Sequence, residues 1–178
     1  MAEIKSTLEL VMQRTRNWDL SAAEREAQRQ AQFLKRLSGV VQRYQDEALK
    51  LEEALAEIRR LQQESDITDT GLVLRDLADR LDIEDDNRAL LDLLRDGCGM
   101  DVTPLTDLLR AYRDELAALR GAACEAARRR LIEEYRIRGN AVIALPEGAP
   151  DWEEKSSALK ESYAGRLKAR IDALARSD

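Results

Sequence analysis

The chain has 178 residues, of which 36% are charged and only 4% are aromatic, and its formal net charge is −6. This composition is typical of long-helix and coiled-coil proteins rather than of compact α/β enzymes. The acidic balance argues against a nucleic-acid partner, because phosphate binding requires an excess or a cluster of Lys and Arg.

The chain contains no histidine. This absence excludes an imidazole base, a Ser-His or Cys-His catalytic pair, and a metal or haem held by histidine. The two cysteines, Cys98 and Cys124, form no C-x-x-C pair, so neither a structural zinc site nor a thioredoxin-like motif is expected. We therefore predict a protein that is not an enzyme, with no catalytic residue, no cofactor and no metal.

The first segment predicted to be helical is residues 3–16, where Ile4, Leu8, Val11 and Met12 share one face. Its polar face mixes acidic and basic side chains, so we expect this helix to dock on protein rather than on a membrane surface. Charged residues interrupt every apolar run, and none approaches the roughly 20 residues of a membrane span. Neither a signal peptide nor a membrane partner is predicted, and the expected location is the cytoplasm.

A long helix is predicted from Ser21 to Gln63. Ser21 and Glu24 form a capping-box pattern at its start. Gly39 is the point at which the helix would bend or divide, since glycine costs about 1 kcal/mol relative to alanine inside a helix. From Leu37 onward the apolar positions alternate steps of four and three, which is a heptad pattern. Its members are Leu37, Val41, Tyr44, Ala48, Leu51, Leu55 and Ile58.

Two short leucine-dense helices are predicted within residues 66–100. Thr70 can cap the first, and the acidic run 82–86 can supply the capping and first-turn carboxylates of the second. The acidic run does not fit a calcium-binding EF-hand, because the sixth and twelfth positions of such a loop would be Asn87 and Leu93. We expect the two helices to form a hairpin that packs on the long helices or stands as a small lobe.

A second long helix is predicted from Thr103-Pro104 to Arg136, with Thr103 as its cap and proline at its first position. Arginines 128–130 near its end complement the helix dipole, and neighbouring glutamates favour a solvated surface over a phosphate site. We predict that the two long helices pack as an antiparallel, coiled-coil-like hairpin within one all-α domain of residues 1–178. The second helix repeats the heptad spacing at Leu105, Leu109, Tyr112, Leu116, Leu119 and Ala123.

Residues 141–145 form a strand-like apolar run that ends at Pro146. Two interpretations are open, because a lone strand needs a partner edge. The run can be an extended connector, which is the preferred interpretation, or it can pair with its own copy across a two-fold axis. A last helix begins near Pro150, with Trp152, Leu159, Tyr163, Leu167, Ile171 and Leu174 on its apolar side.

Short stretches near both ends resemble an uncharacterised bacterial family of helical proteins. They are AEIKSTL at residues 2–8, RGNAV at residues 138–142 and PDW at residues 150–152. The family has no established activity, so the resemblance carries no functional residue over to this chain. It implies only that both end segments contribute to a shared structure.

We predict a non-enzymatic helical scaffold or adaptor that self-associates, with a dimer favoured, and that binds a protein partner of unknown identity. The alternative is a small regulatory or ligand-binding module with a pocket between the short helices and the long hairpin. The candidate interface residues are Leu37, Val41, Tyr44, Leu51, Leu55, Ile58, Leu109, Tyr112, Leu116, Val142, Ile143 and Trp152.

Overall fold

The computed structural model describes residues 21–67, 69–139 and 142–174. Within these ranges the chain forms six α-helices and one 3-10 turn, and it contains no β-strand. The predicted all-α class is confirmed for this part of the chain. None of the described helices combines the length and apolar character that crossing a bilayer requires. The helix predicted over residues 3–16 lies outside the described residues.

The helices fall into two groups. The chain divides into two compact units, residues 1–68 and residues 69–178, which are described separately below. The expectation of a single domain over residues 1–178, with a small lobe over 66–100, stays a prediction. In chain order the helices are α1 (Ala22–Gln45), α2 (Leu51–Glu64), α3 (Thr70–Ala78), α4 (Arg88–Cys98), α5 (Thr103–Glu133), the 3-10 turn η1 (Pro146–Gly148) and α6 (Trp152–Leu174).

In the first unit, the predicted long helix is in fact two helices. The chain leaves the helix after Gln45 and re-enters it at Leu51, and α2 packs against α1. Gly39, the predicted point of division, lies inside α1. The capping box predicted at Ser21 and Glu24 is confirmed, with amide-to-side-chain distances of 3.2 and 2.7 Å. The predicted heptad pattern is therefore divided between two helices.

The break after α1 is a left-handed C-cap. Glu47 has φ 58°, its amide donates to the carbonyl of Tyr44 at 3.1 Å, and the amide of Ala48 donates to the carbonyl of Arg43 at 2.9 Å. This pattern satisfies two of the carbonyls that a helix end leaves without partners. Glycine usually occupies the left-handed position, and glutamate here removes the usual signal from the sequence.

Three arginines at seven-residue spacing on α1 pair with acidic residues on and after α2. The pairing is antiparallel, because the arginine positions rise as their partners' positions fall. Such exposed pairs each contribute at most about 1 kcal/mol, so burial of apolar surface supplies most of the stability. The pairs are Arg29–Asp66 at 3.4 Å, Arg36–Glu64 at 2.6 Å and Arg43–Glu57 at 2.7 Å. The buried side chains of the two helices are Phe33, Leu37, Val40, Val41, Ala54, Ile58 and Leu61.

In the second unit, two predicted helix caps are wrong, because each helix already begins at the residue that was predicted to cap it. Thr70 and Thr103 are the first residues of α3 and α5 rather than their caps. The carboxylates of Asp69 and Asp101 accept hydrogen bonds from the amides two residues later, at 2.9 and 3.0 Å. A carboxylate also complements the positive end of a helix dipole, which a threonine hydroxyl does less well.

Asn87 organises the loop between α3 and α4. Its side chain is 2% exposed, its Oδ1 accepts from the amide of Asp82 at 3.1 Å, and its Nδ2 donates to the carbonyls of Asp82 and Asp85 at 2.5 and 3.0 Å. The acidic run was predicted to supply the N-cap and first-turn carboxylates of α4, and this prediction is wrong, because the N-cap is Asn87 and the first turn holds no acidic residue. The Asp86 carboxylate, one residue before the N-cap, accepts from the amide of Arg88 at 3.1 Å. Hydrogen bonds from the Arg88 side chain and amide lower the pKa of Asp86 to about 2.

The second predicted long helix is confirmed as α5, although it ends at Glu133 rather than at Arg136. Its helical partner is α6, which runs antiparallel to it. The rings of Tyr112 and Tyr163 lie 5.5 Å apart, and the Tyr163 hydroxyl donates to Glu115 at 2.7 Å. That carboxylate raises the pKa of Tyr163. The predicted hairpin between the two long segments is not confirmed.

Replacing Asn87 with alanine is expected to destabilise the protein by about 2 kcal/mol, because this buried side chain makes three partly buried hydrogen bonds to the backbone of Asp82 and Asp85 that alanine cannot make. Chemical unfolding measures the loss. The matched control is Asp85→Ala at an exposed position in the same loop, for which we expect a change within about 0.5 kcal/mol. Equal effects of the two substitutions would contradict this role for Asn87.

Candidate functional site

Exposed large apolar side chains are concentrated between α5 and η1. Among the described residues, the large apolar side chains that are well exposed are Tyr135 (59%), Ile137 (45%), Ile143 (84%) and Leu145 (61%). We call these four residues the connector surface. Single exposed apolar residues are common, but a cluster within one short segment is typical of a contact surface.

Close packing of η1 on α5 holds one end of the connector surface. Pro146 is fully buried, and the small side chains of Ala123 and Ala127 are buried on α5. A Cβ atom added at Gly148 would lie 3.1 Å from the Cβ of Ala127, which leaves no room for a larger residue at either position without a shift. Small residues therefore let the backbone of η1 approach the helix closely.

Residues 142–145 alternate in exposure. Val142 and Ala144 are partly buried, whereas Ile143 and Leu145 are exposed. Leu145 has φ −94° and ψ 148°, which is extended backbone, and the segment carries no strand partner within the described residues. A period of two in exposure is the signature of an extended chain with one covered face. The predicted extended connector is consistent with this geometry, except that its free face is apolar.

The amides of this segment make few hydrogen bonds to the backbone of the described residues. Within the described part of the chain, the amides of Ile143, Ala144 and Leu145 donate to no carbonyl, whereas the amide of Val142 donates to Gly139 at 3.4 Å. An extended segment with free amides can accept another strand along its edge.

Charged residues lie on both sides of residues 142–145. Arg136 and Arg138 precede these residues and Glu147 follows them, and all three side chains are exposed. In the arginine run of α5, Arg130 pairs with Glu134 at 2.9 Å, and this hydrogen bond raises the Arg130 pKa. The pairing agrees with the prediction of a solvated, dipole-complementing helix end.

The structure places the twelve candidate interface residues in three environments. Leu37, Val41, Ile58, Leu109 and Tyr112 are buried, while Tyr44, Leu51, Leu55, Leu116, Val142 and Trp152 are partly buried and Ile143 is exposed. Whether they form an interface stays a prediction. The sequence reasoning did not select Tyr135, Ile137 or Leu145 for the interface. Leu145 could have been selected from its spacing of two residues from Ile143. Tyr135 and Ile137 lie after the end of α5 at Glu133, which comes earlier than the sequence predicted.

Open grooves line the second unit. One has a volume of about 370 Å³ and lies between the end of α3 and α6. Its apolar residues include Leu81, Ile83, Leu167 and Ile171, and its charged residues are Asp79, Asp82, Lys160, Lys168 and Asp172. It is the nearest equivalent of the pocket predicted beside the short helices. A larger groove of about 680 Å³ lies between the start of α5 and the end of α6 and carries Arg166 and Arg170.

Enlarging Ala127 tests the packing that holds the connector surface. Ala127→Leu is expected to destabilise the protein by about 2 kcal/mol, since the added side chain would push η1 away from α5. Limited proteolysis should then cut near residues 142–148 faster than in the wild type. Ala126→Leu, at an exposed position on the same helix, is the control and is expected to change neither property. An unchanged stability of Ala127→Leu would show that η1 does not pack as described.

The acidic, cysteine and tyrosine side chains of the described residues are the groups that could carry chemistry. In this part of the chain, acidic and cysteine side chains form no cluster of three or more that could hold a metal ion. Burial raises the pKa of Tyr112, and the Tyr163 hydroxyl donates a hydrogen bond to Glu115 on α5. Comparisons of the chain with protein-family models, with curated proteins and with solved structures give no significant match.

Proposed function

We propose that this chain is a non-enzymatic helical interaction protein that self-associates as a dimer. The observation that carries the proposal is the exposure of Ile143, at 84%, in a segment whose end is held where η1 packs on α5. Residues 142–145 contain no charged side chain, which would oppose self-association of such a segment. Contact with a second protein surface would remove this apolar area from water.

The energy available from the connector surface is sufficient for a dimer. Burying a large aliphatic or aromatic side chain contributes about 1.5–3 kcal/mol. The connector surface offers four such side chains in each copy. Part of this gain offsets the loss of translational and rotational freedom on association, and the remainder supports binding in the micromolar range.

A coiled-coil contact is the other route to self-association that the heptad spacing predicts. Tyr44, Leu51 and Leu55 keep part of their side chains exposed and could meet a second copy. Leu37 and Val41 are fully covered in the folded chain, so they have no free surface to offer. The connector surface exposes more apolar area, and we therefore place the contact there.

The resemblance to an uncharacterised bacterial family adds to the proposal. RGNAV at residues 138–142 and PDW at residues 150–152 lie on either side of the segment that contains Ile143. We propose membership of that family on these stretches. A shared feature at this place in the chain would be a shared contact surface.

The oligomeric state of Ile143 variants tests the proposal. Sedimentation equilibrium at micromolar concentration should give twice the 20.2 kDa chain mass for the wild type. Ile143→Ser should weaken the dimer at least tenfold, because each copy would lose about 1.5–3 kcal/mol of apolar burial. The conservative control Ile143→Val should remain dimeric. A monomeric wild type overturns the proposal, and a dimer insensitive to Ile143→Ser moves the contact to the heptad residues.

A second candidate function is a small regulatory or ligand-binding module. The groove between α3 and α6 favours it, because apolar Leu167 and Ile171 line it together with the carboxylates of Asp79 and Asp82. Three carboxylates and two lysines line the groove, and Lys160 also pairs with Glu84, so the lining suits a small molecule with an apolar body and a basic group.

A thermal-shift screen of small amines with apolar bodies tests the second candidate. A ligand at 100 times its Kd would raise the stability by about 2.7 kcal/mol, and this gain should be reduced in Asp79→Asn and Asp82→Asn variants. Asp114→Asn, at an exposed position outside the groove, is the control. Absence of any shift would remove the support for this candidate.

A further inference from the structure

We infer that a second copy of this chain docks on an open face of the α5–α6 pair, so that the two pairs form a four-helix bundle. This contact goes beyond the dimer proposed above, because the four residues of the connector surface are not among those that line this face. Together the two contacts would join dimers into a larger assembly.

Two grooves between α5 and α6 lie on the same face of the pair, which we call the open face. Their volumes are about 680 and 540 Å³. On each helix the lining residues recur at steps of three and four, or of seven, which keep positions on one side of a helix. On α5 they include Pro104, Leu108, Ala111, Glu115 and Ala118, and on α6 they include Lys155, Leu159, Arg166, Ala169 and Ala173.

The open face differs from the side that the helices bury. Leu109 and Tyr112 of α5 and Leu167 of α6 are buried, whereas Ala118 and Ala169 on the open face are exposed. Helices pack with their axes about 8–10 Å apart, depending on the side chains at the contact. Alanine at these positions therefore leaves room for a partner helix to approach closely.

The charged residues that line the two grooves are separated by sign. Because α5 and α6 run antiparallel, the acidic start of α5 lies level with the basic end of α6. The charged lining residues are Asp101, Asp107 and Glu115 at and after the start of α5, and Lys155, Arg166 and Arg170 on α6.

This separation of charge selects one arrangement of two copies. A two-fold axis that is parallel to the helices and midway between two open faces places α5 of each copy over α6 of the other. Positions along the helix direction are unchanged by this axis, so Asp107 of one copy lies level with Arg166 and Arg170 of the other. A two-fold axis perpendicular to the helices would place α5 over α5 and acidic residues together, which like-charge repulsion disfavours.

The size of the open face suits a weak, specific contact. About 16 residues of each helix, at a rise of about 1.5 Å per residue, give a length of about 25 Å. Two helices side by side give a width of about 20 Å, so that two copies would bury about 1,000 Å² in total, near the lower limit for a specific interface. Since alanine supplies much of this area, we expect a Kd of about 0.1–1 mM.

Charge exchange between two variants tests this arrangement. Both variants are made in the Ile143→Ser background, which lacks the connector contact and should still form a reversible dimer in sedimentation equilibrium at up to about 1 mM chain. Asp107→Arg alone and Arg170→Asp alone should each weaken this dimer at least tenfold, because each places like charges together twice per dimer. An equimolar mixture should associate at least fivefold more tightly than either variant alone. In the mixed dimer one charge pair is unchanged and the other has its charges exchanged.

A matched control separates the contact from a general effect of charge. Asp114→Arg makes the same change at an exposed position of α5 outside the grooves, and it should alter the dimer by less than twofold. Far-ultraviolet circular dichroism of each variant checks that the helices are retained.

The outcomes separate this inference from the proposed function. Recovery of association in the mixture supports the arrangement, and a mixture as weak as the single variants overturns it. An Ile143→Ser variant that stays monomeric at the highest concentration also overturns it, while a wild-type dimer at micromolar concentration leaves the proposed function in place. A wild type that is monomeric at micromolar concentration overturns the proposed function, and the charge-exchange series still decides the inference.

Discussion

The close approach of η1 to α5 is the constraint on which the rest of the candidate site depends. Gly148 and Ala127 leave no space for a larger side chain between the two backbones, and Pro146 is buried beside them. Successive side chains of an extended backbone alternate in direction, and Ile143 and Leu145 are the exposed residues of the segment that precedes Pro146. Two small residues on different elements thus hold the end of a segment that carries exposed apolar side chains.

The two units share a way of folding in which each helix packs against a partner close in sequence. In the first, Arg36 and Arg43 of α1 meet Glu64 and Glu57 of α2, so the chain turns back within a few residues of Gln45. In the second, α6 returns along α5. Nearby partners bury the apolar faces at a low cost in loop closure entropy. Apolar positions that form two long heptad patterns in the sequence can therefore be buried in shorter hairpins between neighbouring helices.

The class and most helix starts could be predicted from sequence because they depend on local chemistry. The Ser21 capping box needs only residues within one turn, and heptad spacing predicts the apolar face of α5 whatever covers it. The break after Gln45 could not be predicted, since Glu47 adopts a left-handed conformation without being glycine. The role of Asn87 depends on backbone groups that the fold brings around it. Its amide was visible in the sequence, but its burial was not.

The strand-like run near residue 143 was recognisable from sequence, whereas the direction of its side chains depends on packing. Natural edge strands are usually protected by charges or proline within the strand. Residues 142–145 contain neither, and their outward face carries the aliphatic side chains of Ile143 and Leu145. An unprotected edge of this kind would favour open-ended assembly if its contact were head-to-tail. Contact of the connector surfaces across a two-fold axis uses the same surface in both copies, so this contact closes after two chains.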